Sequence, residues 1–577
     1  VDDAVALFAD RADLDQPLPE PVATTIASVC EALGGMALAI ELAAARARSI
    51  PLGDLKDRMD SQMPLLKGSS HSPGRHDSMA QAVQWSTDLL ADSEQLAYRR
   101  LSVFSTGFRL RDAAGVLKTA DVDDLVARLV EVSLLQPADE NGEYRYLEPI
   151  RQHAVQALEK EGEWEIAHED HARWMVAAAR NAFIDEWSHR RRSMRTWLFR
   201  RRSEFLDAVR WSSDNGHPDL AIAIFAAIGK IVWSFEDIGQ ILQPMVKTFE
   251  DPEATQSPEL AIALADAAWA LKAYDRPDLA RASVERAEAL VASLDLESTE
   301  ARRAQGTVMA RRAIIDCPEI VRDDDVELAG EAVDTLERAQ SANAGSFNIN
   351  RGELLYRLGR NAEATTAHEL ANAWYLKTTG RASPLSLNHF ALTAANQSGD
   401  WDTAVSFARD AALIQLDDYD YIGAIGSYYV MSYTSMLSGR SVAEPAERLH
   451  HLARITGREA PFMVDMWHLS ELDDSIGVMR LAKRWLTYRT WHRVDNAEYL
   501  THDMDLAVHG DENTWPRFVP VLLPIARALE SAGRVDDARA IVEEIPSLIE
   551  QARILDWGRL DLMAIFADIR HRLDVGE

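Results

Sequence analysis

The chain has 577 residues, too many for one hydrophobic core and enough for several folding units or an array of repeats. Apolar residues make up 47% and charged residues 27%, a globular usage that excludes a disordered chain. The formal net charge of −31 excludes a nucleic-acid surface as the main purpose, because phosphate contacts need Lys and Arg in excess. Two cysteines, Cys30 and Cys317, cannot make a disulfide framework, which fits a reducing cytoplasm. The most apolar run, from Leu220 to Trp233, is broken by Lys230 before it reaches membrane-spanning length, and the start lacks a charged-then-apolar leader. A cytoplasmic location is expected.

In chain order, Val5, Leu7, Phe8 and Ala12 mark a first helix, and Val22, Ile26, Val29 and Leu33 a second, with Pro17, Pro19 and Pro21 between them. The stretch Cys30–Arg48, CEALGGMALAIELAAARAR, reads as two helices broken by Gly34 and Gly35, where a left-handed cap is required. The second helix starts near Ala37 and runs to Ser49, with Leu38, Leu42 and Ala45 on one alanine-rich buried face. A linker rich in Gly, Ser and Pro follows from Lys67 to Arg75. Glu143–Leu147 is placed as a strand behind a turn at Asn141 and Gly142. Beyond about residue 155 a turn signal recurs, with Gly or Pro, an acidic residue and then Ala: 216–221, 275–280, 359–364, 399–404 and 533–538. Helix–turn–helix units of this kind, with a small residue early in the second helix, stack as a tetratricopeptide-like solenoid. Segments 237–258 and 456–520 keep no clear register.

The Cys30–Arg48 stretch resembles a motif of the signal-transducing ATPases with numerous domains (STAND proteins, NB-ARC-like), in particular the bacterial LuxR-type and adenylate-cyclase-linked regulators. Cys30, Leu33, Gly35, Leu38, Ala39, Ile40, Glu41, Leu42, Ala43, Ala44, Ala45 and Arg46 match it. Gly34, Met36 and Ala37 stand where the motif has Asp, Leu and Pro, and that Pro lies against the nucleotide base. The resemblance assigns Gly35, Met36, Ala37 and Leu38 to a degenerate nucleotide-side site. It divides the chain into a helical subdomain, 1–70, a winged-helix domain, 71–152, and a tetratricopeptide-like helical repeat domain, 153–577, so the fold class is mainly α. Arg145–Ala154 resembles the family's closing motif, with Tyr146, Leu147 and Glu148 where relatives carry a phosphate-reading Met-His-Asp. The chain opens on Val1 inside a family module, as expected of a fragment or of a reading frame that has lost its upstream half.

An ATPase needs a glycine-rich loop ending in Lys-Ser or Lys-Thr. Here the lone Gly-Lys is Gly229-Lys230, inside a helical stretch, and Asp316 after an apolar run has no such loop to serve. His168 and His171 lack the spacing of a zinc site and a third ligand, and His450-His451 reads as a solvated pair. The basic run of residues 189–202 has two readings: a phosphate-bearing ligand or nucleic acid, or salt bridges to an acidic surface. Trp485, Tyr488 and Trp491 fall on neighbouring turns of one helix and are assigned either to the core or to partner binding.

The resemblance implies the regulatory and ligand- or partner-sensing half of a STAND-type protein, a transcriptional regulator whose ATPase domain lies upstream. The chain itself is then no enzyme and carries no metal or cofactor, ATP or ADP with Mg belonging to the upstream domain. Its partners are that domain and a protein or small-molecule effector on the solenoid, with neither nucleic acid nor membrane bound directly. The alternative is a free-standing helical-repeat scaffold. Within 120–135, Asp121, Asp123, Asp124 and Glu131 face Arg128 as the lone cation, so the winged region is predicted to repel a phosphate backbone. Fluorescence anisotropy of the purified chain with random duplex DNA at low salt should show no binding that weakens as salt rises.

Overall fold

The computed structural model describes residues 2–33, 35–48, 50–56, 83–84, 86–88, 90–232, 239–251, 253–273, 277–315, 321–395, 399–438 and 440–456, with His468 and Arg539. Among them the secondary structure is helical apart from two isolated antiparallel bridges, Phe108 with Tyr144 and Gln136 with Arg145. Contacts divide the chain into two compact units, 1–178 with 203–215 and 179–202 with 216–577. No described helix is long and apolar enough to cross a membrane.

In the first unit α1 (Asp2–Arg11) packs on α2 (Glu20–Ala32) and α3 (Ala37–Ala47). Phe8, Ile26, Val29, Ile40 and Leu42 form the shared core, each at most 1% exposed. α3 buries Ala39, Ile40, Leu42, Ala43, Ala44 and Arg46, so of the face read in the sequence Leu42 is buried while Leu38 and Ala45 are half-buried. Arg46 is the charged member of this buried set. It is 2% exposed, and its Nη2 donates to the Ser86 carbonyl, fixing α3 to the segment that precedes the next helices. Burial and then Arg128 pull its pKa down to about 10, against the attraction of Glu94 and Glu131.

Next come α4 (Asp92–Arg100), α5 (Leu110–Leu117), α6 (Val122–Glu131) and α7 (Glu148–Lys160). Asp139 holds the 139–143 turn by accepting from the backbone N–H of Asn141 and Glu143, and Gly142 supplies the positive φ of +73°. The strand expected over 143–147 is reduced to the single-residue bridges at Tyr144 and Arg145. Tyr146 then donates to the Tyr98 carbonyl at 2.8 Å, and Tyr98 donates to the Ile150 carbonyl at 3.0 Å and lies 3.1 Å from His153 Nδ1. The Arg145–Ala154 motif is therefore a lock between α4 and α7. Two helices contribute residues to both units, α8 (Trp164–Glu186) and α9 (Arg191–Asp214). In the first unit buried Glu204 accepts from the Thr106 N–H and hydroxyl, both at 2.6 Å, and its other oxygen lies 3.3 Å from His171.

The second unit is an array of helical pairs: α12 (Pro258–Ala273) with α13 (Pro277–Val291), α14 (Thr299–Ile315) with α15 (Asp323–Arg338), α16 (Asn348–Arg357) with α17 (Asn361–Thr379), α18 (Pro384–Thr393) with α19 (Trp401–Asp417), and α20 (Tyr421–Leu437) with α21 (Ala443–Ile455). Ahead of them stand α10 (Pro218–Val232) and the short α11 (Gly239–Glu250), the latter interrupted by Pro244 in a stretch where the sequence loses register. Each helix packs on the next, and first helices also touch across pairs: α10 on α12, α12 on α14, α14 on α16, α18 on α20. One apolar cluster, including Ile314, Val326, Leu354 and Ala364, draws on α14 to α17, so two successive pairs share a core. That sharing defines a solenoid, because no pair could bury its apolar face alone.

The recurring turn has a local cause. Gly216 and Gly359 hold positive φ of 77°, ending one helix in a left-handed cap, and Gly399 holds 62° two residues before α19. Prolines open α10, α12, α13 and α18, at the first turn where their missing N–H costs nothing. The repeated alanine is the fourth residue of α10, α13, α17 and α19, and Ala221, Ala280, Ala364 and Ala404 are all 0% exposed. Three of these helices are second members of pairs; α10 instead sits in the first-helix column.

Inside the array His368 and His389 stack with ring centroids 4.1 Å apart and planes 16° apart. His368 fits because Gly352 has no Cβ; one built there would stand 2.6 Å from the ring. Hydroxyls surround the pair: Ser386 at 3.4 Å from His368 Nδ1, and Thr365 at 3.1 Å and Thr393 at 3.4 Å from His389 Nε2. Burial pulls His368 down to about 3 and His389 to about 4, with His389 further lowering His368 and Glu353 opposing the fall at His389. Both folded values lie below the usual 6.5, so the stability contributed by the neutral rings is complete above pH 6.5 and is lost as pH falls toward 4 and 3. At pH 5 the loss is on the order of 2 kcal/mol per histidine. Circular dichroism melts at pH 7 and pH 5 should show a Tm drop that shrinks by several degrees in a His368→Asn, His389→Gln double variant.

Candidate functional site

The loop between α2 and α3 is built by Gly35. Its φ is +67° and its N–H donates to the Cys30 carbonyl at 3.0 Å, closing α2 so that Met36, φ −78° and ψ 121°, can begin α3 at once. Ala37 is the first residue of α3. The loop and the two helix ends line a surface cleft of about 560 Å³ with Asp3, Ala4 and Leu7 of α1, Cys30 and Glu31 of α2, and Gly35, Ala37 and Ile40. A cleft of that size holds a small ligand. Cys30 Sγ donates to the Ala4 carbonyl at 3.5 Å, and burial pushes its thiol pKa up, so it packs as a small hydrophobe. The charges among the lining residues are the carboxylates of Asp3 and Glu31, which favour hydrogen-bond donors over a phosphate chain.

Of the four residues assigned from the sequence, Gly35 and Ala37 lie in this cleft. Met36 and Leu38 are half-buried and are not among its lining residues. Trp485, Tyr488 and Trp491 lie outside the described residues. His168 and His171 do not converge: His168 stacks on Trp164 at 3.9 Å, and His171 serves Glu204. No group of three or more His, Cys, Asp or Glu positioned for a metal occurs among the described residues.

The array has a second depression of about 490 Å³, which sequence reading missed because its residues come from three helices. Glu369, Asn372, Ala373 and Leu376 of α17 form one wall, with Phe390 and Thr393 of α18 and Phe407 of α19 opposite. Leu370, Leu376 and Leu413, each about half exposed, stand on the same two helices, α17 and α19.

The arginine run forms salt bridges, the second of its two readings. Arg190 meets Asp185 at 2.6 Å and Arg192 meets Asp417 at 2.6 Å. Arg191 spans Glu186 at 2.7 Å and Asp418 at 2.9 Å, and Arg195 grips Glu186 at 2.5 and 2.8 Å. Arg381 completes the cluster on Asp417 and Asp418. Glu186, Arg191, Arg195 and Asp418 are all under 10% exposed. Burial pulls the Arg195 pKa down, but Glu186, Asp418 and Asp420 outweigh it and hold the guanidinium charged.

No protein-family profile matches the chain. Over 247 residues, 40% of its length, it is 33% identical to a Mycobacterium tuberculosis protein named as a candidate HTH-type transcriptional regulator, and to the counterpart from Mycobacterium bovis. The chain spans about a quarter of the length of those relatives, 27%. Uncharacterized proteins from the same two species are 32% identical over 174 residues, 28% of this chain and 44% of theirs. Among solved structures, a STAND protein with a tetratricopeptide repeat sensor from Pyrococcus horikoshii superposes with a TM-score of 0.43 at 11% identity, covering 85% of this chain and 73% of that one. A likeness that loose carries no argument.

The geometry at 35–37 makes a pair of opposite predictions. Met36 already has the backbone of a residue before proline, and Ala37 sits at the first helical position, so Ala37→Pro should stabilise by about 0.4–1 kcal/mol. Gly35→Ala meets no atom within 4 Å but must hold φ +67°, and should cost about 1 kcal/mol. Urea titrations of the two variants against the parent chain check both signs.

Proposed function

We propose that the chain is the regulatory, ligand- or partner-sensing half of a STAND-type signal-transduction protein, a transcriptional regulator whose ATPase domain precedes it. The observation that carries this reading is the order of parts: the Cys30–Arg48 motif beside an open cleft, a lock built on the Arg145–Ala154 motif, then an array of paired helices that presents a long surface. Similarity to relatives named as candidate HTH-type transcriptional regulators supports the same reading. On it, an effector or partner protein binds the array, ATP or ADP with Mg is held by the upstream domain with the cleft beside it, and the chain acts in the cytoplasm without touching DNA or lipid. The chain itself is not an enzyme, since it lacks a phosphate loop.

A second reading, a helical-repeat scaffold without a switch, is favoured by two features: Ala37 takes away the proline surface, and Asp3 and Glu31 disfavour a phosphate chain at the cleft. The sequence immediately upstream separates the two, a phosphate loop there supporting the switch. In solution, phosphate release from ATP and Mg by the purified chain should stay far below about 1 per second, the low end for ordinary enzymes. Turnover at that rate would overturn the assignment of the chemistry to the upstream domain.

A further inference from the structure

Residues 180–199 meet the array in an ordered sequence. Arg180 pairs with Glu259 at the start of α12, and Arg303 of α14 lies 3.9 Å over the Phe183 ring. Trp187 then packs on Trp374 and Tyr375 at the end of α17, with centroids 5.5 and 5.9 Å away. Arg191 and Arg192 reach Asp418 and Asp417, and Phe199 stacks on Tyr419 at 4.6 Å with planes 19° apart. As the segment advances, its partners advance from the first helical pair toward the last described one. A bound peptide lies along a solenoid in this way.

The chemistry is also that of recognition. The apolar clusters of the array are mostly Ala, Leu, Val and Ile, whereas this segment adds guanidinium groups and rings to its buried Met194 and Leu198. Arg191 sits 5.7 Å from the Trp187 centroid and 5.8 Å from that of Tyr375, between two faces that attract a cation, while its Nε meets Asp418. Four arginines, 191, 192, 195 and 381, face four carboxylates, Glu186, Asp417, Asp418 and Asp420, so the cluster is neutral. Burying charges recovers little net stability, so such a cluster selects one partner and one register. Its outer edge is open: the Arg192 side chain is 68% exposed and that of Asp417 32%.

We infer that Trp374, Tyr375, Arg381, Asp417, Asp418 and Tyr419 form a recognition track on the array for protein segments bearing arginine and aromatic side chains. Residues 187–199 occupy it in cis, and a partner of the same chemistry gains the track by displacing them. The resident segment is at high effective concentration, so the intact chain resists competition.

The test uses the full chain and a fluorescent peptide of residues 183–202, with a scrambled peptide to report attraction to the acidic protein alone. Arg191→Ala weakens the resident segment, and the peptide should then bind at least about tenfold more tightly than to the parent chain, with the gain removed by adding Asp418→Asn. Equal binding to parent and variant, no binding to either, or equal binding of the scrambled peptide overturns the inference. If Arg191→Ala does not fold, Arg192→Ala removes only the exposed pair. In that variant, excess peptide should raise hydrogen exchange over residues 187–199 about fivefold or more, and unchanged exchange overturns the inference.

Discussion

The architecture rests on how closely one helix can approach the next. Ala221, Ala280, Ala364 and Ala404 have no exposed surface and each stands on the first turn of its helix, so a larger side chain there would push the helix off its neighbour. Gly306 shows the same constraint in α14, where a Cβ would stand 2.6 Å from Leu336 Cγ of α15. Close approach lets short helices share one core across two pairs, and the shared core makes the pairs an array. The length of the surface follows from that constraint, and so does any binding that needs length.

Charge plays a different part. The arginine–carboxylate cluster around Glu186 and the Asp266–Arg311 pair, whose side chains are each 8% exposed, are enclosed by ring faces, Tyr375 and Trp187 in one case and Trp269 and Phe347 in the other. Apolar replacements would pack at least as stably, and removing one partner would strand a buried charge. Such groups determine which segment lies where. The array thus separates its two requirements, alanine and leucine for cohesion, arginine and aspartate for address.

What the sequence revealed and what it hid divide along the same line. The turns were legible because their causes are local: a glycine forced to positive φ, a proline at a helix start, an alanine three residues later. The partners of the arginine run were not, since Arg191 and Asp418 are 227 positions apart and any acidic surface would have served the argument equally. The buried face of α3 was read only in part because an apolar count passes over Arg46, a buried charge that donates to the Ser86 carbonyl. His368 and His389 gave no signal, for their stacking depends on the room left by Gly352. The strand expected over 143–147 contracted to single bridges because a turn signal fixes a reversal without fixing how far pairing extends from it.

On the proposed reading, the loop at Gly35 keeps the backbone of the motif it resembles while its surface chemistry differs. Gly35 still carries the left-handed φ, Met36 still has the extended geometry that precedes proline, and α3 still begins at residue 37. On that reading, alanine at 37 leaves the backbone frame standing without the ring, at a cost of about 0.4–1 kcal/mol to the fold and of one surface a ligand could meet. With Asp3 and Glu31 supplying the charge of the lining, the frame favours a donor-rich group over a phosphate chain. On the proposed reading, phosphate recognition then has to come wholly from the upstream domain, and this cleft adds shape, through Leu7, Ile40 and Ala37, in place of charge.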